Sequence, residues 1–136
     1  MSLLTPNFYH VAYESAPPLL RGTSLRTLSA EEMTESAELV LDAARQQNCP
    51  FWLLDGRRHG HPQPLTLQHW MLEEYFPRVR AELGRQPCVA FLALPTGQQK
   101  ADRDKAALRE WQTPAVRIDW FTDEAPALAW LSRFRS

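Results

Sequence analysis

The 136-residue chain has the length of one ordinary domain, and its 44% hydrophobic content is enough for a core without a disulfide or a metal. Its 15 Lys+Arg nearly balance its 16 Asp+Glu, which argues against binding to nucleic acid or to an anionic membrane surface. No stretch reaches the about 18 apolar residues of a membrane span, so we expect no stable membrane insertion.

Residues 1–10 lack a basic leader and an apolar h-region, so we expect a cytoplasmic protein. Cys49 and Cys88 each open an apolar run, which predicts buried thiols in a reducing compartment; a disulfide between them is the alternative.

Aromatic alternation over residues 8–14 predicts a first strand, and residues 19–26 predict a second, weaker one. Gly22 within it predicts a bulge or a close approach of neighbouring groups. The short connection with two prolines indicates an antiparallel hairpin.

A first helix is predicted to begin at Ser29, because Glu32 follows at the capping-box position. Asn48 is a helix stop and Pro50 prevents continuation. The apolar stripe at helical spacing consists of Met33, Ala37, Val40, Leu41 and Ala44.

Residues 51–54 are large and apolar, which predicts a central strand buried on both faces that ends at Asp55. A second helix is predicted from a cap at Thr66 to Gly84, with Pro77 kinking or dividing it. Its core stripe is Leu72, Tyr75, Phe76, Val79 and Leu83.

Residues 87–94 predict a second fully apolar strand, residues 98–111 an exposed helix, and residues 115–121 a half-buried edge strand. The last helix is predicted to start at Thr122 or Asp123, with Pro126 in its first turn. The residues expected to dock it are Ala125, Leu128, Ala129, Leu131 and Phe134. This order predicts a single α/β domain (residues 1–136) with a mixed, largely parallel sheet, an N-terminal β-hairpin and about four helices.

This order, together with three segments, resembles the STAS-like fold of anti-sigma-factor antagonists. The segments are residues 51–55, 69–74 and 121–131, the last being a strand end, an acidic cap and an Ala-Leu-x-Trp-Leu helix. The nearest resemblance is to a bacterial group of small stand-alone STAS-like proteins. It implies a regulatory domain that binds another protein and is not an enzyme.

In signalling STAS proteins a strand ending in aspartate leads to a serine or threonine whose phosphorylation breaks partner binding. Asp55 matches that strand end, but residues 56–61 contain no hydroxyl and the first one is Thr66. Proteins of similar architecture also bind lipid or other small apolar ligands beneath their helices, so a carrier or sensor is the second function that the resemblance implies.

Asp55, Arg57, Arg58 and Thr66 are the candidate partner- or anion-binding residues, because open α/β sheets place sites at the carboxyl ends of their strands. The alternative is that Asp55 caps a local turn, the arginines are solvated and Thr66 is a plain helix cap. The second candidate set, for an apolar ligand or an interface, is Trp70, Met71, Tyr75 and Phe76.

His59 and His61 are two residues apart, but no further metal motif supports them, so we predict no metal and no cofactor. The sequence lacks a nucleophilic elbow, a P-loop and a dinucleotide-binding motif, and no catalytic residue is assigned. If Trp120 and Trp130 reach the surface, they favour a partner surface or a homodimer. The alternative is that they belong to the core, as aromatic residues at such spacing usually do.

Overall fold

The computed structural model describes residues 7–58, 65–93 and 114–135. In these ranges five strands form one mixed sheet whose spatial order follows the chain. The first pair is antiparallel and the other three pairings are parallel, which confirms the predicted α/β class and hairpin. The strands are β1 (Tyr9–Ser15), β2 (Pro18–Ser24), β3 (Phe51–Asp55), β4 (Cys88–Leu92) and β5 (Arg117–Phe121).

Helical segments connect and cover the strands. They are α1 (Ala30–Gln47), α2 (Leu65–Trp70), a π-helical segment (Met71–Tyr75), α3 (Phe76–Leu83) and α4 (Glu124–Ser132). Because α2, the π-helical segment and α3 run on without a break, the described residues contain three separate helical bodies. The helix predicted over residues 98–111 lies outside the described residues, so the predicted number of about four is not confirmed.

The ends of α1 follow from three polar residues, as predicted. The Glu32 backbone N–H donates to Ser29 Oγ at 3.1 Å, and the Ser29 backbone N–H donates to Glu32 Oε1 at 3.0 Å, which completes a capping box. Asn48 ends the helix with φ of 49°, in the left-handed region that asparagine tolerates better than most residues.

The central strand β3 is buried on both faces of the sheet, as predicted. Trp52 is fully buried in the cluster formed with α1 and α3, whereas Leu53 is buried in a second cluster with Ala127 and Leu131 of α4. Side chains alternate along a strand, so one apolar run serves two hydrophobic layers. The sheet therefore has α1, α2 and α3 on one face and α4 on the other.

The packing of α4 differs from the sequence prediction. Ala125 and Ala129 are exposed, while Ala127 and Leu131 are fully buried, and Leu128, Trp130 and Phe134 pack against them. The prediction was wrong about the two exposed alanines because a short helix that is apolar on most sides does not indicate which side meets the sheet. Asp123 holds the N-cap position, as predicted, without a side-chain capping hydrogen bond.

Gly22 marks a close approach and not a bulge. It pairs in regular register with Val11, and a side chain on it would collide with the hydroxyl of Tyr9 and would lie 2.9 Å from Leu54 Cδ2. Glycine at this position therefore makes room for the buried Tyr9 ring.

Candidate functional site

The carboxyl ends of β2 and β3 lie side by side, because Thr23 pairs with Asp55 in parallel register. The chain turns immediately after Asp55, and the Gly56 backbone N–H donates to the Leu92 carbonyl of β4 at 2.8 Å. This bond ties the exit of the central strand to its neighbour, so the side chains that follow project from a fixed backbone. An open α/β sheet characteristically places its site at this edge.

Asp55 and Arg57 form a bidentate pair at this edge. Arg57 Nε and Nη2 donate to the two carboxylate oxygens of Asp55 at 3.0 and 2.8 Å, and the Arg57 backbone N–H also donates to Oδ1 at 3.0 Å. Burial alone would raise the pKa of Asp55, but these hydrogen bonds outweigh burial and hold it below its usual value. Asp55 thus caps the local turn, and Arg57 is partly neutralised rather than freely solvated.

Arg21 connects the middle of β2 to the start of α4. Its Nη1 donates to Glu124 Oε1 at 2.6 Å, and its Nε is hydrogen-bonded to Glu14 of β1. A guanidinium has N–H donors on two sides, so one arginine can hold two carboxylates from distant parts of the chain. This contact fixes the start of α4 beside the Asp55 turn.

Two exposed side chains complete the edge. Leu25 follows β2 and is the exposed large hydrophobic residue of the described ranges, with 38% of its surface accessible. Arg58 is exposed, and no ion pair between described residues includes it. We call Arg21, Leu25, Asp55, Arg57 and Arg58 the carboxyl-edge surface.

Thr66, the fourth predicted site residue, is exposed and lies inside α2. Leu65 already belongs to this helix, so Thr66 lies within the helix and the prediction that it is the N-cap was wrong. The chain between Arg58 and α2 lies outside the described residues. The sheet topology still places the start of α2 on the carboxyl side, because the helix leads from β3 back to the beginning of the parallel strand β4.

The second predicted set lies in and beside the core. Met71, Tyr75 and Phe76 are buried and Trp70 is half-buried, with ring centres 5.3 Å apart for Trp70 and Tyr75 and 5.1 Å apart for Tyr75 and Phe76. The Tyr75 hydroxyl donates to the Ala37 carbonyl of α1 at 2.5 Å. These contacts fasten the helix to α1 and β3; binding of an apolar ligand by these residues stays a prediction.

The remaining candidate groups are the two cysteines and the four histidines. Cys49 and Cys88 are free and buried, and burial raises the pKa of both thiols. His10 and His69 are exposed, while His59 and His61 lie outside the described residues. Within the described residues no three potential metal-binding side chains come together. No helix in this part of the chain has the length and apolarity needed to cross a bilayer.

Trp120 and Trp130, for which the sequence left a surface and a core position open, are packed against neighbouring rings. Trp120 stacks on Phe91 with ring centres 4.6 Å apart, and Trp130 lies between Phe121 and Phe134. Both are half-buried, so their main contacts are internal. Formation of a homodimer stays a prediction.

Sequence reasoning missed Arg21, Leu25 and Glu124 at the carboxyl edge. Arg21 carried a usable signal, since a charge that directly follows the apolar pair Leu19-Leu20 within a strand requires a partner when the strand is covered. Its partner Glu124 lies 103 residues away, and no local pattern connects the two.

Searches of protein-family models, curated proteins and solved structures found no match to this chain. The STAS-like resemblance therefore stays a prediction from sequence segments.

Proposed function

We propose that this chain is a non-enzymatic regulatory domain of the STAS-like type that binds another protein through the carboxyl-edge surface and the adjoining start of α2. The observation that carries the proposal is the combination at one edge of an exposed leucine, an exposed arginine and a fixed ion-paired turn. An apolar anchor bordered by oriented charges is the composition of a protein-binding surface.

Two features of the edge support recognition over proton-transfer chemistry. Its polar contacts join arginines to carboxylates, and although burial opposes the charged forms of Asp55 and Arg21, this pairing holds the pKa of Asp55 below its usual value and the pKa of Arg21 and of Arg57 above theirs. The Asp55 turn and the Arg21–Glu124 pair also hold the backbone and α4 in place, so the surface is organised before a partner arrives. Such preorganisation reduces the entropic cost of association.

The test is a quantitative pull-down with the purified domain as bait. The test variant combines Arg57→Ala with Arg58→Ala, and a second variant is Leu25→Ser. Loss of an anchor side chain in a protein interface costs about 1–4 kcal/mol, so a specific partner should be recovered at least about fivefold less with either variant.

The matched control combines Arg45→Ala with Arg80→Ala. Arg45 is an exposed, ion-paired arginine and Arg80 is an exposed arginine outside the ion pairs of the described residues, so this variant makes the same change in charge on another surface. Equal recovery of every partner by wild type, test variants and control would overturn the proposal.

The alternative function is a carrier or sensor of a lipid or another small apolar ligand. One observation favours it, namely an open groove of about 540 Å³ beside Pro77, lined by Leu72, Ala81 and Pro114 among others. The groove adjoins the helix that carries Trp70, Met71, Tyr75 and Phe76.

Native mass spectrometry of the freshly purified protein tests the alternative. A retained small molecule that is lost in Ala81→Trp, which fills the groove, and kept in Ala129→Trp, on the exposed side of α4, would support it. Protein that carries no small molecule in either form would exclude a stably bound ligand.

A further inference from the structure

Four arginines gather at the edge of the sheet opposite the carboxyl-edge surface. This amino edge is marked by the Cys88 backbone N–H, which donates to the Pro50 carbonyl, and by the Arg117 backbone N–H, which donates to the Pro87 carbonyl. Arg85 comes just before β4, Arg117 opens β5, and Arg133 and Arg135 follow α4, which returns from the carboxyl edge. We call these four residues the amino-edge arginine cluster.

The guanidinium groups are held on two aromatic rings. Those of Arg135 and Arg85 lie 4.8 and 5.9 Å from the centre of the Phe51 ring. Those of Arg117 and Arg133 lie 4.4 and 5.9 Å from the centre of the Phe134 ring. A guanidinium over a ring face is attracted by the ring quadrupole and keeps its N–H groups available for an acceptor.

The cluster differs from the carboxyl edge in its charge balance. Arg21 and Arg57 at the carboxyl edge are paired with acids, whereas no ion pair between described residues includes any of the four cluster arginines. Like charges collected in this way repel one another, and the aromatic contacts offset only part of that repulsion.

Arg135 carries the strongest signal in the cluster. Its Nε and Nη1 atoms are buried and have no hydrogen-bond acceptor among the residues that the structure describes. Buried donors are satisfied in the great majority of cases, since a buried donor of a charged group that lacks a partner destabilises the fold. An oxyanion would satisfy this guanidinium, which shares the Phe51 ring with Arg85 at the edge of the sheet where Arg117 and Arg133 contact Phe134.

We propose that the amino-edge arginine cluster binds a ligand that carries phosphate groups. Phosphate fits better than a single carboxylate, because it brings more negative charge and several oxygens to a set of planar two-donor groups. Exposed Arg117 and Arg133 supply the first contacts, and Arg135 is the inner donor. This site is separate from the carboxyl-edge surface and does not depend on the function proposed for that surface.

Isothermal titration calorimetry with inorganic pyrophosphate at constant ionic strength tests this site. Saturable binding is expected for the wild type. Because a hydrogen bond to a charged group contributes about 1.5–3 kcal/mol, Arg117→Gln and Arg133→Gln should each weaken the affinity by at least about tenfold. Arg80→Gln, an exposed arginine on α3, is the matched control and should stay within about twofold of the wild type.

A second set of titrations separates the sources of phosphate. Phosphatidylcholine vesicles with and without phosphatidic acid test a lipid headgroup, and a glutamate peptide tests carboxylates of comparable charge. The proposal is supported if the wild type binds pyrophosphate or the phosphatidic acid vesicles and the cluster variants bind the same ligand more weakly. Whichever of the two ligands binds identifies the source of the phosphate. Failure of both to bind, equal binding by all variants, or tighter binding of the glutamate peptide would overturn it.

Folding of the variants has its own readout. Removing one of four mutually repelling charges should leave the thermal midpoint of the unliganded protein unchanged or raised, while pyrophosphate should raise the midpoint of the wild type more than that of the variants. A variant that loses its ligand-dependent shift and keeps its unliganded midpoint has lost the site and not the fold.

Discussion

At the scale of single residues, contacts of two kinds specify this domain. Some are local, as at Ser29 and Glu32, where neighbours in sequence satisfy each other's hydrogen bonds. Others join distant parts of the chain, as at Gly22, where the absence of a side chain admits the ring of Tyr9. Burial, with a further contribution from the Asp55 carboxylate, raises the pKa of Tyr9, so this phenol stays neutral within the hairpin.

Gly22→Ala should destabilise the domain by about 1–3 kcal/mol, because the new methyl group collides with the Tyr9 hydroxyl and lies 2.9 Å from Leu54 Cδ2. Gly56→Ala is the matched control, since among the described residues its methyl group would meet only the Leu92 carbonyl oxygen, at an ordinary contact distance of 3.5 Å. Urea denaturation measures both changes. Equal stability of the two variants would contradict the close approach.

Glu32→Gln tests the charge in the capping box. Glutamine keeps the reciprocal hydrogen bond but loses the ion pair with Arg26, which together with the Ser29 backbone bond lowers the pKa of Glu32 from 4.5 to about 2. A lowered pKa stabilises the fold above pH 4.5, and this contribution disappears as the pH falls to about 2. The wild type should therefore unfold at a higher temperature than the variant at neutral pH. The difference between the two unfolding temperatures should become steadily smaller as the pH falls. A difference in unfolding temperature that does not change with pH would show that the ionised Glu32 carboxylate does not stabilise the fold.

At the scale of elements, the helix between β3 and β4 changes its winding where proline interrupts it. Pro77 has no N–H for a backbone bond, and its ring would crowd the carbonyl of Glu73 in a regular α-helix. The preceding turn is π-helical, with the Phe76 backbone N–H donating to the Met71 carbonyl. The wider turn accommodates the proline and lets Tyr75 and Phe76, although adjacent, both reach the core.

Pro77→Ala should gain a backbone hydrogen bond and relieve crowding in the helix. Pro126→Ala, in the first turn of α4, is the matched control because proline restrains the unfolded chain equally at both positions. We expect the Pro77 variant to be more stable than the Pro126 variant by at least about 1 kcal/mol in urea denaturation. The opposite order would show that the π-helical turn has another cause.

At the scale of the whole molecule, the sheet separates two chemically different edges. At the carboxyl edge, arginines and acids pair around the exits of β2 and β3. At the amino edge, arginines stack on Phe51 and Phe134 with no acidic partner among the described residues. The near-zero net charge of the chain conceals this division, because a sum over all residues carries no information about position.

The features that the sequence predicted well are those encoded locally. The capping box at Ser29, the left-handed stop at Asn48 and the two-sided apolar run of β3 each depend on neighbouring residues. The Arg21–Glu124 pair, the side of α4 that is buried and the collection of Arg85 with Arg135 depend on how distant segments meet. The sequence likewise identified Asp55 as the end of a strand from its neighbours. Its bidentate pair with Arg57 could not be predicted, because that pair depends on the geometry of the turn.

Site-specific photo-crosslinking in living cells tests the central claim, partner binding at the carboxyl-edge surface, most directly. A photoreactive phenylalanine analogue replaces Leu25 or Arg58 in turn, and Glu35, exposed on the outer side of α1, is the control position. We predict that the analogue at position 25 or at position 58 forms a discrete adduct with one protein, and that the analogue at Glu35 forms none. The adduct from position 25 should disappear when Arg57→Ala is added to that variant. Adducts from Glu35 alone, or equal adducts from all three positions, would contradict the claim.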